Sequence, residues 1–497
     1  MAFVPGISLL KGFGLGVMMA LLAAWLPARE AANIAPRSAL NRSSLERRTI
    51  EVAPYLAIIG LLVMGSGGLL LLLPGLWVGF AGLFVIVAGG AMLTPGLMIV
   101  MVSLLLRLFG RFQGLLWRMA LRDVTRHLSR TGVAAAALMI ALASAISVGV
   151  MVDSFRQTFS FWLEDTLSAD IYTAPVSRMS NDVSAVLRPE VIQKLRSVPE
   201  VGGINTYRGF NVTVNERQTR LSVVELSTRA KQGYQLLDAV PLVWEKFATG
   251  AVLITESLAY RHDLKVGDAV QLTTTTGPRE FNIVAIYKDF GAEHGRILMQ
   301  RAIYQRFWQS SSVSTASIYL KDGLSVQQLM PKLEAELGAI QALRFTDQRS
   351  LKDLSLVIFE RTFTITTVLQ FLVVGVAFVG LVSALLALNL ERIQIFAVLR
   401  AQGMLGREVG LMMVLNSLAI GLMAGLLALP MGILLSILLI DVINRRAFGW
   451  SMTIHIDPGL LLQTIILALL AALLACALPV RRLIFERPVE SLQQSFM

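Results

Sequence analysis

Covalent chemistry in a protein needs a nucleophile beside a base, or metal ligands at a fixed spacing, and this sequence is poor in both. Its four histidines, His127, His262, His294 and His455, are scattered and show no HExxH-type spacing. A lone histidine is more often structural than catalytic, and all four are read that way. The single cysteine, Cys476, sits inside an apolar run, so neither an intrachain disulfide nor a cysteine-based metal site can form. No GxxxxGK[ST] phosphate loop occurs, so the chain does not carry its own ATPase site. Asp153, Glu164 and Asp165 stand next to an apolar run and read as solvated charges. These residues predict a protein that is not an enzyme and holds no cofactor or metal of its own.

The remaining candidate is mechanical. The stretch ERIQIFAVLRAQGMLGREV, Glu391 to Val409, lies between two long apolar segments. A plain loop there would be polar and rich in Gly, Ser or Asn. This one mixes arginines with Ile393, Ile395, Phe396, Val398 and Leu399. Such a segment suits a membrane surface or a protein groove. Gly403 and Gly406 allow the backbone to bend between it and the next apolar run. It is either an amphipathic anchor or a surface on which another protein docks.

The elements that position it are membrane spans. The chain has 497 residues, of which 55% are hydrophobic and 15% charged, and its mean hydropathy is +0.66. Soluble domains are nearer ~45–50% apolar and ~25% charged. The expected fold is therefore an α-helical polytopic membrane protein with about seven transmembrane helices and one large α+β extracytoplasmic domain. The candidate spans are near 7–26, 53–73, 77–106, 131–152, 362–388, 409–440 and 459–479. The net charge of +11 comes largely from arginines beside these spans, where the positive-inside rule puts them. The bilayer is the expected partner, and nucleic acid is not.

Charge then assigns sides. Segments 27–52, 107–130, 389–408 and 480–497 are rich in arginine and are placed in the cytoplasm. The turn at 74–76 has no positive charge and the loop 441–458 has two arginines, so both are placed outside. Segment 107–130 reads as amphipathic, and 53–106 as a pair of spans. No ionisable residue falls mid-span in the last six spans, which argues against proton coupling. Residues 153–361 form the outer domain. Strands are predicted at 211–214, 221–226, 251–255, 269–274, 281–287 and 316–320, and helices at 189–197, 299–308 and 325–337. Its ends, 154–168 and 347–361, read as helical stalks that prolong the flanking spans.

The chain also repeats itself. LLAAWLPAREAANIAPRSALNRS (21–43) aligns without a gap with LLACALPVRRLIFERPVESLQQS (473–495). Both end a span at proline, turn with arginine, and reach a second proline before a leucine. Duplicated halves are common in transporters. The second copy closes a unit of span, outer domain and three spans, whereas the first, residues 1–26 and the linker after it, is only the end of one. The expectation is that this chain is the back part of a larger permease.

Together these features resemble the FtsX-like permeases of ABC transporters, the family of MacB-type and lipoprotein-releasing permeases, in its ten-span branch. The family has a pattern close to ER-x-x-E-hydrophobic-x-x-LRA-x-G after the span that follows its outer domain. Glu391, Arg392, Leu399, Arg400, Ala401 and Gly403 match it, and Ile395 stands where the family has a second acid. The stretch AVLITESLAYRHDLKVGDAVQLTT (251–274) is similar to the MacB-like periplasmic core. The resemblance implies that those six residues couple to a separate ABC ATPase, which binds the ATP. It further implies an inner-membrane location, with the outer domain periplasmic or extracellular and the C-terminus cytoplasmic. Other implied partners are a second permease copy or the missing N-terminal half, and a periplasmic protein. The implied function is export or membrane extraction of a hydrophobic or lipid-linked substrate. A membrane sensor whose outer domain binds a peptide or ligand is the competing reading.

Overall fold

The computed structural model describes residues 42–109, 114–177, 185–214, 217–291, 294–321, 323–391 and 402–485, together with isolated positions between 10 and 29. The described positions between 10 and 29 are helical, and four continuous helices follow among the described residues: α1 (Arg42–Leu70), α2 (Leu76–Phe109), α3 (Leu115–Arg126) and α4 (Leu128–Thr166). Without water to satisfy them, peptide groups in a bilayer bond within their own helix, and long unbroken helices follow. α4 has 39 residues, about 58 Å at 1.5 Å per residue. A hydrocarbon core is ~30 Å thick, so α4 continues well beyond it as a stalk.

The outer domain follows, with ten strands and six helices among the described residues. In chain order these are β1 (Ile171–Pro175), α5 (Pro189–Ser197), β2 (Val201–Val214), β3 (Arg217–Glu225), α6 (Thr228–Gln232), β4 (Leu236–Ala239), α7 (Val243–Thr249), β5 (Val252–Thr255), α8 (Glu256–His262), β6 (Ala269–Thr274), β7 (Gly277–Tyr287), β8 (Arg296–Gln300), α9 (Arg301–Trp308), β9 (Thr315–Leu320), α10 (Val326–Gly338) and β10 (Leu343–Asp347). The strands form one sheet in the order β10–β1–β9–β2–β3–β8–β5–β7–β4, with β6 paired on β7. The β3–β8 and β5–β7 pairs are parallel. The long strand β2 joins two lobes. Its first half pairs with β9, and its second half with β3. One apolar core surrounds β1, β9, α5 and α10, and another surrounds β3, β5, β7 and β8.

The chain re-enters the apolar layer through α11 (Gln348–Glu391) and then α12 (Gly406–Leu438), a π-helical turn (Leu439–Asn444), α13 (Arg445–Phe448) and α14 (Pro458–Phe485). Among the described residues, five helices are long and apolar enough to cross a membrane: Ile50–Leu70, Leu76–Leu108, Leu128–Thr166, Gly406–Phe448 and Pro458–Arg481. They coincide with five of the expected spans. The span expected at 362–388 falls inside α11, and the one at 7–26 lies largely outside the described residues. The outer domain differs from expectation at 299–300, which end β8 rather than open a helix. β8 packs Ile297 and Met299 into one apolar core and Leu298 into another, so the run is covered on both faces and shows no alternation.

Small residues let the helices meet. A Cβ on Gly60 would lie 2.7 Å from the Gly89 carbonyl, and one on Gly67 2.8 Å from that of Gly82, so α1 and α2 touch backbone to backbone. α12 packs between α4 and α14. Gly432 faces Ile146 of α4, where a Cβ would come within 2.7 Å, and Gly421 faces Ala472 and the Ala468 carbonyl of α14. Dispersion between such close surfaces is the main attraction available in lipid. Gly60→Ala and Gly432→Ala should each cost ~1–3 kcal/mol by overpacking. Gly375→Ala on α11, where a Cβ meets nothing within 4 Å, should leave stability unchanged or raise it slightly. Thermal unfolding of the three variants in one detergent checks this.

Candidate functional site

The inner stretch flagged by the sequence is described only at its ends. Glu391 closes α11. Arg392, Leu399, Arg400 and Ala401 lie outside the described residues. Gly403 has φ +102°, a left-handed conformation that suits glycine, and α12 starts three residues later. The Leu405 N–H donates to the Glu408 carboxylate at 3.0 Å, which caps the first turn of α12. Val409 and Met413 bury themselves against Met404 and Val480, so this turn packs beside the end of α14. On the same side, amphipathic α3 is held by α12. Asn416, 3% exposed, donates to the Ala120 carbonyl at 3.1 Å and to Asp123 at 3.0 Å. A buried amide left unpaired would be costly, so this pair of bonds sets where α3 lies on α12.

α12, the π-helical turn and α13 make one helical rod from Gly406 to Phe448, 43 residues long, or about 64 Å. Its far end meets three things. First, Arg446 donates to the carbonyls of Leu71 and Gly75, the latter at 2.8 Å. The Leu71 carbonyl lies just past the C-terminal end of α1, where carbonyls carry partial negative charge, and the Gly75 carbonyl opens α2, where it also accepts from the Gly79 N–H. The rod thereby caps the α1–α2 hairpin.

Second, residues 451–455 run extended along α4. The Ser451 N–H donates to Glu256 of α8 at 2.9 Å, Thr453 N–H to Thr158 at 3.3 Å, and His455 N–H to Ser154 at 2.9 Å. Alternate residues of an extended strand point their donors the same way, about 6.7 Å apart. Helix positions four apart are about 6 Å apart. Hydroxyls at 154 and 158 therefore match the donors of 455 and 453. Ser154 returns a hydrogen bond to the His455 carbonyl at 3.2 Å.

Third, an aromatic ring closes over this seam. Phe155, Phe159 and Trp162 of α4 meet Phe290 of the β7–β8 loop and Trp450 of the rod's exit. Their centroid separations are 6.4, 5.4, 5.6, 4.8 and 5.3 Å around the circuit. Phe448 meets Trp450 in a tilted pair, at 5.5 Å. Gly449, at φ +81°, makes the turn, and a Cβ there would meet Ser257 of α8 at 3.1 Å. The Arg445 guanidinium lies 5.6 Å from the Tyr260 ring centre, a cation–π contact.

Phe290 is held by charge. Asp289, 4% exposed, accepts from Gly291 N–H at 2.7 Å and pairs with Arg296 at 2.8 Å. Burial works against the Arg296 charge, but Asp289 together with the nearby Tyr287, Tyr207 and Tyr234 hydroxyls holds the guanidinium above its ordinary value. The nearby hydroxyls of Tyr234 and Tyr287 are pushed up by burial.

The stalk charges Glu164 and Asp165 are exposed, as read, and also make contacts between the stalks and the outer domain. Glu164 pairs with Lys352 of α11, and Asp165 accepts from Gln235. Gln348 donates its side-chain amide to the Leu167 carbonyl and its N–H to that of Asp170, the latter at 3.1 Å. His455, read as structural, joins the seam through its backbone, with its ring 3.9 Å from Asp153. Sequence reasoning missed Trp450, Ser451, Thr453, Glu256 and Phe290. The available signal was the aromatic run in SFRQTFSFW (154–162) facing FGW (448–450).

Comparison with known proteins fits this architecture. Residues 367–488 match the FtsX-like permease C-terminal model, and residues 131–336 match the MacB-like periplasmic core domain model. An uncharacterized ABC transporter permease protein of Mycobacterium tuberculosis (strain ATCC 25618 / H37Rv) is 35% identical over 484 residues, covering 96% of this chain and 57% of that protein. The chain thus spans a little over half the length of this relative. Two solved structures show similarity at lower scores. The periplasmic region of MacB from Actinobacillus actinomycetemcomitans is 10% identical with a TM-score of 0.31, over 39% of this chain and 94% of that one. The extracellular domain of the noncanonic ABC-type transporter YknZ from Gram-positive bacteria is 14% identical with a TM-score of 0.27, over 36% and 99%. The chain thus carries a MacB-like periplasmic core domain and an FtsX-like permease C-terminal region, and over 96% of its length it is similar to an ABC transporter permease.

Trp450→Ala removes three ring pairs, each worth ~0.5–1.5 kcal/mol beyond the area buried. Its expected cost is ~2–4 kcal/mol, with wider distance distributions between spin labels on α8 and α14. Asp289→Ala leaves a buried guanidinium unpaired and should cost ~3–5 kcal/mol. Thermal unfolding and pulsed electron-paramagnetic-resonance distances check both.

Proposed function

We propose that this chain is the membrane subunit of an ABC transporter and that a separate ATPase, which binds the ATP, docks on residues 391–408. Glu391, Arg392, Leu399, Arg400, Ala401 and Gly403 are the proposed coupling residues. The observation that carries the reading is the continuous rod Gly406–Phe448. One end starts beside the Gly403 turn, and the other is bonded to the outer domain through Trp450 and Ser451. A push at the inner turn therefore reaches the outer domain by two routes. The rod acts through the seam, and α11 acts through its stalk, which is tied to α4 by Lys352–Glu164.

In this reading the side holding α3 and the Gly403 turn is cytoplasmic. The side holding the 441–458 loop and the sheet domain is extracytoplasmic, and the bilayer is the cell inner membrane. The stroke drives export or membrane extraction of a hydrophobic or lipid-linked substrate. A second permease half or copy and a periplasmic protein complete the assembly.

Purification from native membranes in mild detergent should recover an ABC ATPase with this chain. Altering Leu399–Gly403 should abolish that recovery. Trp450→Ala should retain the ATPase but lose the nucleotide-dependent movement of the outer domain, read by spin-label distances. Failure to recover an ATPase under conditions that preserve other ABC complexes would overturn the coupling and favour a sensor.

A further inference from the structure

A cavity of about 650 Å³ opens where both stalks enter the outer domain, between α10 and the head of α11. Its size falls within the ~300–1,000 Å³ of small-molecule sites. One wall is apolar. Val326 and Met330 of α10 face it while their inner sides pack on the β1–β9 core. The other walls offer acceptors. Asp347 is kept ionised by hydrogen bonds with Ser350, which hold its carboxyl below the usual carboxylate range. Glu334 reaches the rim with no hydrogen bond or ion pair among the described residues.

A helix irregularity supplies one more acceptor. Pro331 stands inside α10 and has no N–H to give, so the Gln327 carbonyl one turn earlier lacks its helical donor. Gln327 lines the same cavity. Asp170 also borders it, but that carboxylate already accepts from Leu320 N–H at 2.8 Å and faces Arg229 at 3.4 Å. Arg349 is the basic residue on the lining. Acceptors thus exceed donors around an apolar wall.

We propose that this cavity binds an organic cation with an apolar body, an ammonium or guanidinium carried on an alkyl or aromatic group. The charge sits between Glu334, Asp347 and the Gln327 carbonyl, and the apolar part lies on Val326 and Met330. A ligand there bridges α10 to the heads of both stalks, where Gln348 joins the Leu167 and Asp170 carbonyls. Its occupancy would bias how the outer domain sits on the stalks. That consequence rests on the proposed transport stroke, whereas the binding itself does not.

The probe is phenylbutylamine, with phenylbutanol as its neutral counterpart. Calorimetric titration is run on the full chain in lipid nanodiscs, with empty discs subtracted. The amine should bind about tenfold or more tightly than the alcohol, as expected for hydrogen bonds to a charged group. Glu334→Gln, at an exposed position, should erase most of that preference. Met330→Lys, which brings a fixed cation to the apolar wall, should abolish amine binding. Equal binding of amine and alcohol, no binding above empty discs, or an unchanged preference in Glu334→Gln overturns the site. No ATPase enters this measurement, so its failure and the failure of the coupling reading are distinguishable.

Discussion

The seam between residues 448–455 and α4 is the contact on which the arrangement of this molecule depends. Two stalks alone would hold the outer domain at a height but not at an angle. A third attachment fixes the angle. The backbone of 451–455 supplies it by donating to a carboxylate and two hydroxyls at matched spacing. Hydrogen bonds of this kind are modest singly. The aromatic circuit around Trp450 lies over them and adds packing between α4, the β7–β8 loop and the rod's exit.

The same logic sorts the chain into two ends. At one end Arg446 caps the carbonyls after α1, Glu256 receives the Ser451 N–H, and Arg445 covers Tyr260. At the other, Asn416 grips α3 and Glu408 caps the turn after Gly403. The Arg446, Ser451 and Glu408 contacts sit where helices end, because backbone groups are unpaired there. The middle is left to glycine and alanine. Ala424, Ala428, Ala468, Ala471, Ala472 and Ala475 are buried between α12 and its neighbours. A layer of small, interlocked residues transmits displacement with little compression, because packed interiors yield poorly.

The outer domain is stiff for a different reason. β2 belongs to both lobes, so the sheet is continuous from β10 to β4. The stalks enter at β1 and β10, neighbours at one edge of the sheet. The rod reaches α8 and the β7–β8 loop, in the other lobe. Force arriving by the two routes therefore acts on different lobes of one sheet. That geometry favours tilting of the whole domain over separation of its lobes.

Much of this was legible in the sequence, for local reasons. A bilayer tolerates few polar groups, so long apolar runs can be read as helices, and five of them recur here. A sheet with one covered face alternates, so β6 and β7 could be read from AVQLTT and FNIVAIY. β8 could not, because burial on both faces erases the alternation. Nor could β1 and β10, short strands at stalk junctions. The Gly403 turn was legible because glycine marks it; the seam had no such mark. Ser154 and Thr158 are ordinary residues in an apolar helix, and Ser451, Thr453 and His455 are ordinary residues in a loop some 300 positions away. Sequence alone indicated the long apolar helices and the stalks that prolong two of them, because periodicity and hydropathy act within a few residues. Only the tertiary structure decided that the outer loop is a joint, because a match between strand spacing and helix spacing exists only once the two are side by side.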